Sequence, residues 1–149
     1  MLWQITPARI ADIPDLCALL NILFEQERDF SPDSNKQSQA LKQIIGDPSV
    51  GEILVARQPG KVLGMVSLLY TVSTALGGRV ALLEDMIIDP QYRHKGIGKS
   101  LLDSAVSLAN RRACLRLTLL TDANNHSAQQ FYRRAGFARS AMVPMRLGL

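Results

Sequence analysis

The order of elements along the 149 residues predicts a mixed α/β fold of the α+β kind, a mixed sheet covered by helices on both faces. Two observations predict it. Apolar residues recur at helical spacing in four stretches and form short β-prone runs between them, in the order β-α-α-β-β-β-α-β-α-β. EILVAR at 52–57 and VLGMVSLLY at 62–70, joined by a turn at QPGK, read as a hairpin. The chain shows no repeat, low-complexity tract or linker, so residues 1–149 are expected to form one domain.

Leu2 to Thr6 predicts a first strand. In the following DIPDLCALLNILFEQE, Ile13, Leu16, Leu20 and Leu23 share a helix face, with Asp12 as a cap and Pro14 in the first turn. DFSPDSN at 29–35 is a loop. A shorter helix over 36–45 ends at Gly46 and the Asp47-Pro48 turn. After the hairpin and a loop carrying Gly77-Gly78, VALLEDMIID at 80–89 is a strand that Asp89-Pro90 closes. SLLDSAVSLANRR is an amphipathic helix with Leu101, Leu102, Ala105, Val106 and Ala109 as its buried stripe. LRLTLL at 115–120 is a strand, SAQQFYRRAGF a helix closed by Gly136, and residues 137–147 are expected to supply one or two last strands.

Composition excludes several classes. The chain is 47% hydrophobic and 20% charged, as suits a globular protein with a core. It has no uninterrupted apolar run of about 18 residues and no secretory-type start, which leads to the expectation of a cytoplasmic protein without membrane association. Cys17 and Cys114 sit in apolar patterns and read as buried free thiols. His94 and His126, with no cysteine pair at ligand spacing, predict no metal. Charge is unevenly placed. Residues 1–90 carry 7 Lys/Arg against 11 Asp/Glu, and residues 91–149 carry 10 against 2. A basic half suits a polyanion: a nucleic acid or a phosphate-bearing cofactor. Its aromatics, Tyr92, Phe131, Tyr132 and Phe137, are too few and too localised for a base-stacking surface, so no nucleic-acid partner is expected.

The phosphate-bearing cofactor has an obvious seat. RHKGIGKS at 93–100 joins the strand at 80–89 to a helix starting near Gly98. It fails as a triphosphate loop, because Arg93 stands where the first glycine is required, and as a dinucleotide loop, because Leu101 stands where a small residue is required. It still offers an anion a helix start with unpaired N–H groups, two glycines and the cations Arg93, Lys95 and Lys99.

Arg93-His-Lys-Gly96-Ile-Gly98 resembles the [QR]-x-x-G-x-[GA] signature of the GNAT N-acetyltransferase superfamily. The segment from Asn125 through Ala128, Phe131, Tyr132 and Gly136 to Phe137 resembles a second motif of that family. The resemblance implies a central sheet of six to seven strands with splayed central strands and about four helices. It also implies acetyl-CoA as co-substrate, with its pyrophosphate on Arg93, His94, Lys95, Gly96, Ile97, Gly98, Lys99 and Ser100. Its pantetheine arm would lie along the backbone of Met86, Ile87 and Ile88, and Asn125 would be a further contact, although Asn125 also reads as a turn residue.

The implied reaction is direct acetyl transfer to an amine in a ternary complex. The amine must lose a proton, the thioester carbonyl must be polarised and the thiolate needs a donor. Tyr132 is the candidate acid, with a packing tyrosine as the competing reading. Glu84 is the candidate base because a carboxylate in an apolar strand needs a reason. Alternation would put Asp85 on the opposite face, so at most one of the pair serves. Glu25, Glu27, Asp29, Phe30 and Asp33 cluster where the family places its acceptor wall, and Glu25, Asp29 and Phe30 are the candidate acceptor contacts. A small-molecule or peptide amine is the expected partner, and a homodimer is compatible. The rival reading on the same fold is a non-catalytic acyl-CoA-binding regulatory module.

Overall fold

A computed structural model describes residues 3–26 and 32–149. The elements are β1 (Gln4–Pro7), α1 (Ile13–Gln26), α2 (Ser34–Gly46), β2 (Gly51–Gln58), β3 (Lys61–Ser73), β4 (Gly78–Ile88), α3 (Ile97–Arg111), β5 (Leu117–Leu119) and α4 (His126–Arg134). Single 3-10 turns precede α1 at Ile10–Asp12 and follow β4 at Pro90–Tyr92. The sheet order is β1-β2-β3-β4-β5. The first four strands are antiparallel neighbours, and β5 joins β4 in parallel.

The sheet separates two apolar layers. On one face Leu54, Ala56, Leu63, Val66, Leu68 and Leu83 pack on Ile97, Leu101, Leu102, Ala105, Leu108 and Ala109 of α3. On the other, Ile53, Val55, Val62, Met65 and Ile87 pack on Ile13, Leu16, Cys17, Leu19 and Leu20 of α1 and Leu41 of α2. This is the mixed, two-faced architecture that the element order predicts. The buried stripe of α3 uses Leu108, with Val106 only half-buried, because a 3.6-residue period carries the face from Ala105 to Leu108 and Ala109.

Capping and pairing explain the boundaries. Asp33, half-extended before α2, accepts from the N–H groups of Asn35 and Lys36, so the helix begins two residues before the expected Lys36. Asp12 accepts the Arg9 N–H at 2.8 Å and is held by Arg57 at 2.7 Å, which ties the entry of α1 to β2. Gly136, at φ 104, follows α4 in the left-handed conformation expected of it.

The strand count differs from the six or seven expected. Five strands are formed among the described residues, and residues 138–149 hold neither helix nor strand. The 137–147 segment is apolar enough for a strand, but Met142, Val143, Met145 and Leu147 point into solvent. A strand needs a paired edge as well as a suitable sequence.

Candidate active site

The site begins where β4 loses regularity. Met65 pairs with Ile87 and Ser67 with Glu84, so two steps along β3 are matched by three along β4. The extra residue makes a β-bulge, and Asp85 within it takes φ 53, a left-handed conformation unusual for a non-glycine. Cross-strand partners share a face. Ser67 lies two residues from Met65, in the α1–α2 layer, so Glu84 faces that layer as well. Ile87 faces the same way, while Met86 and Ile88 pack toward α3. The plain alternation expected through Glu84 and Asp85 is therefore re-phased by the bulge, which puts Glu84 and Ile87 on one face three residues apart.

The other edge of β4 opens at the same place. Its parallel register with β5 covers Ala81, Leu82 and Leu83 opposite Leu117, Thr118 and Leu119, and ends one residue before Glu84. From Glu84 to Ile88, β4 is thus paired on the β3 side only, among the described residues. Met86, Ile87 and Ile88 lie on this one-sided stretch, where the splay of the central strands is expected.

Beyond Ile88 the chain makes the 3-10 turn and a loop in which His94 has φ 62 and Gly96 φ 87. Left-handed residues in such a turn can gather backbone N–H groups into a concavity that suits an anion. Gly96 is the N-cap of α3 and has no side chain to satisfy the first turn. The first helical bond runs from the Ser100 N–H to the Gly96 carbonyl at 3.1 Å, which leaves the N–H groups of Ile97, Gly98 and Lys99 at the mouth. A Cβ on Gly96 would meet nothing within 4 Å, so the space above the turn is open.

The three cations of the loop are not equivalent. Arg93 Nε donates to the Ile88 carbonyl at 3.1 Å and fastens the loop to the end of β4. Lys95 lies 5.4 Å from the centre of the Tyr92 ring, whose neighbourhood also holds Lys61 at 5.0 Å. Lys99 pairs with Asp103 one turn on, at 2.7 Å on the exposed face.

The second motif lies against the first. A Cβ on Gly98 would stand 3.5 Å from Phe131 Cζ, so the start of α3 touches α4. Tyr132 is sandwiched edge-to-face between Phe131 and Phe137, with ring centroids at 5.2 and 5.8 Å. Burial pushes its phenol up to about 12. Asn125 caps α4 by accepting the Ala128 N–H at 3.2 Å, which gives its side chain the structural duty of a turn residue. Gln129 closes the preceding loop by donating to the carbonyls of Asp122 and Ala123. His126 is an exposed first residue of α4.

The acceptor wall is only partly described. Glu25 is exposed at the end of α1, and Asp33 is committed to capping α2. Glu27, Asp29 and Phe30 lie outside the described residues. Two surface grooves lie elsewhere, one bordered by Ile5, Ile44, Glu52, Ser107 and Arg111, the other by Trp3, Arg9, Asp15, Arg57 and Lys61. Neither is bordered by Glu84, Tyr132 or the 93–100 loop, so strand register and the turn define the candidate site.

Ser67 is the residue that motif reading passes over. It is 1% exposed, opposite Glu84, and its hydroxyl has no hydrogen-bond partner among the described residues. A lone serine inside GMVSLL was the available signal. No group of three His, Cys, Asp or Glu residues among those described could hold a metal ion.

The one-sided strand end running into a glycine-started helix is the setting in which the family resemblance expects an acyl-CoA. The chain belongs to the acetyltransferase (GNAT) family, whose model matches residues 16–137, and is an acetyltransferase. It is 29% identical to the N-acetyltransferase YhfO of Bacillus subtilis over 134 residues, 90% of this chain and 89% of that one. It is 32% identical to a glucosamine 6-phosphate N-acetyltransferase of Trypanosoma brucei brucei over 101 residues, 67% and 66% of the two chains. A possible acetyltransferase from Clostridium difficile 630 shares the fold at a TM-score of 0.88 and 18% identity, over 100% of this chain and 99% of that one.

Proposed function

We propose that this protein transfers an acetyl group from acetyl-CoA directly to a small-molecule or peptide amine within a ternary complex. The observation that carries the reading is the coincidence at the end of β4: the bulge, the loss of β5 pairing and the anion-binding turn fall within the 13 residues from Glu84 to Gly96. The residues present fit the cofactor. The N–H groups of Ile97, Gly98 and Lys99 suit a pyrophosphate, with Lys95 and Lys99 adding charge, and the one-sided edge from Met86 to Ile88 suits an amide-bearing arm. When bound, acetyl-CoA supplies an acetyl group activated as a thioester.

The protein's own groups then divide the work. The Glu84 carboxylate takes the proton that the ammonium of the acceptor must lose. A backbone N–H near Ile87 polarises the thioester carbonyl. The Tyr132 hydroxyl donates to the departing sulfur, and burial keeps that phenol protonated throughout the working pH range. Cys17 is buried and Cys114 is half-buried with its thiol pushed up by burial, so neither is activated as a nucleophile for a two-step route. Glu25, with Asp29 and Phe30, forms the proposed acceptor wall, the acids favouring a cationic amine. The thialysine acetyltransferase of mouse, 28% identical over 141 residues, carries such an acceptor in its name. The protein would work in the cytoplasm as one domain, without nucleic acid or metal. Among the described residues, no helix is long and apolar enough to cross a membrane.

The test follows free thiol released from acetyl-CoA against a series of polyamines, amino sugars, amino acids and peptide amines. An accepted amine should be acetylated with thiol release in equal amount, and Glu84→Gln should lower kcat by about 100-fold. Wild-type turnover in that variant would remove Glu84 from the mechanism. Tight CoA binding with no turnover on any amine would favour the regulatory module.

A further inference from the structure

Two unfavourable features stand together on the β3–β4 ladder. Ser67 is buried, and its hydroxyl has no hydrogen-bond partner among the described residues. Asp85, in the bulge of the facing strand, takes φ 53. Each costs the resting fold free energy: a buried hydroxyl forfeits its bond to water, and a left-handed non-glycine crowds its own Cβ against the chain. Such costs gather where a site holds particular groups in place. The bulge also chooses the neighbour of Ser67. The register at Met65–Ile87, continued without an extra residue, would bring Asp85 opposite Ser67; the bulge brings Glu84 there instead. Glu84 is the one polar side chain beside Ser67 on its face of the sheet. The β2 partner of Ser67 is Ile53, and Met65 and Leu69 flank it along β3.

We propose that Ser67 is a positioning residue for acetyl transfer: its hydroxyl donates to one oxygen of the Glu84 carboxylate while the other oxygen engages the ammonium of the acceptor. The inference rests on the reading of Glu84 as the base. Directly opposed residues hold their Cβ atoms roughly 4.5–5.5 Å apart, so rotation of the longer glutamate side chain is enough to bring its carboxylate to the hydroxyl. In the resting protein the two groups are not bonded, and Glu84 is only half-buried. A bound ammonium draws the carboxylate into place, and the hydroxyl gains its partner only in the reacting complex. The ammonium proton then passes to the engaged oxygen of Glu84. Ser67 keeps its own proton, and the neutral amine is left to attack the thioester carbon. The bond from Ser67 fixes which oxygen faces the amine and opposes rotation of the carboxylate, a service that a hydroxyl already paired at rest could not give without first breaking a bond.

The experiment compares Ser67→Ala and Ser67→Cys with the wild type, alone and combined with Glu84→Gln, using acetyl-CoA with spermidine, glucosamine, lysine and a lysyl peptide as acceptors. Cysteine refills the space with a weak donor, so a loss common to both variants belongs to the hydroxyl and not to packing. Each single substitution at Ser67 should lower kcat by about tenfold, as expected for a lost bond to a charged group. The Kd for CoA should stay within a factor of about two, because the hydroxyl acts on Glu84 and not on the cofactor. Ser67→Ala should melt higher than the wild type when no substrate is bound. On the Glu84→Gln background the same substitutions should change kcat by less than about twofold, since a group that acts only through Glu84 has nothing left to orient. A wild-type kcat in Ser67→Ala beside a slow Glu84→Gln would overturn the proposal and leave the base in place. Full losses on the Glu84→Gln background would overturn it too, as would a fall in melting temperature that accompanies the lost rate. Wild-type turnover in Glu84→Gln, or no turnover by the wild type with any of the four amines, would remove the base itself and this role with it.

Discussion

Tyr132 and Gly96 carry opposite kinds of risk, one chemical and one conformational. The Tyr132 phenol, pushed up to about 12 by burial, stays protonated across neutral pH and so has a proton to donate in the proposed reaction. Tyr132→Phe should therefore lower kcat by about 10- to 100-fold while leaving CoA affinity within a factor of about two, as expected for a donor that matters only as the sulfur departs. Calorimetric CoA binding beside steady-state kinetics checks both halves, and unchanged kcat would make the residue a packing tyrosine. Gly96 should behave the other way. At φ 87 an alanine there costs about 1–2 kcal/mol of backbone strain although the space is open. Gly96→Ala should raise the Kd for CoA by about tenfold and lower the melting temperature slightly. Equal affinity for CoA would show that the turn does not hold the cofactor.

At the level of single elements, β4 with its partner β3 concentrates what the sequence could and could not reveal. The pattern VALLEDMIID announced a strand, and Glu84 stood out as a carboxylate among apolar residues. The turn and helix start were equally legible, because Gly96, Gly98 and the cations are local features. The bulge was not, because it depends on which residue of β3 lies opposite which of β4, a non-local register. Asn125 and Asp33 drew attention as site candidates, and each caps a helix, a use that calls for the same short polar side chain. Ser67 was invisible for a related reason: only pairing shows that it sits across from Glu84. Without a partner among the described residues, its buried hydroxyl costs about 1–3 kcal/mol. Ser67→Ala should therefore raise the melting temperature by a few degrees in a thermal scan. A fall would show that the hydroxyl has a partner in solution.

Across the whole molecule, four ionisable anchors set the pH range of stability. Asp12 is held below the usual carboxylate range by its hydrogen bond to Arg57, and Glu52 by its bond to Arg112. Tyr70, which also donates to Glu52, is pushed up by burial and by that bond, in the same direction as Tyr132. The depressed carboxylates stabilise the fold above their unfolded values near 4, and that contribution is lost as pH falls through their lower folded values. The raised phenols stabilise it below about pH 10, and that contribution is lost as pH rises toward 12 and beyond. Melting temperatures should accordingly be level through neutrality and fall below about pH 4 and above about pH 10, and Arg57→Ala should lower the plateau and flatten the acid decline. The basic half of the chain fits this frame: Arg112 spans to Glu52 and Arg93 fastens a loop, so part of its charge serves the fold. The central claim concerns where the cofactor lies on the molecule. Its most direct test is a residue-resolved amide NMR titration with CoA. The account predicts shifts concentrated at Met86, Ile87 and Ile88 and at Gly96 to Lys99. Shifts gathered instead along β1, β2 and the two grooves beside them would contradict it.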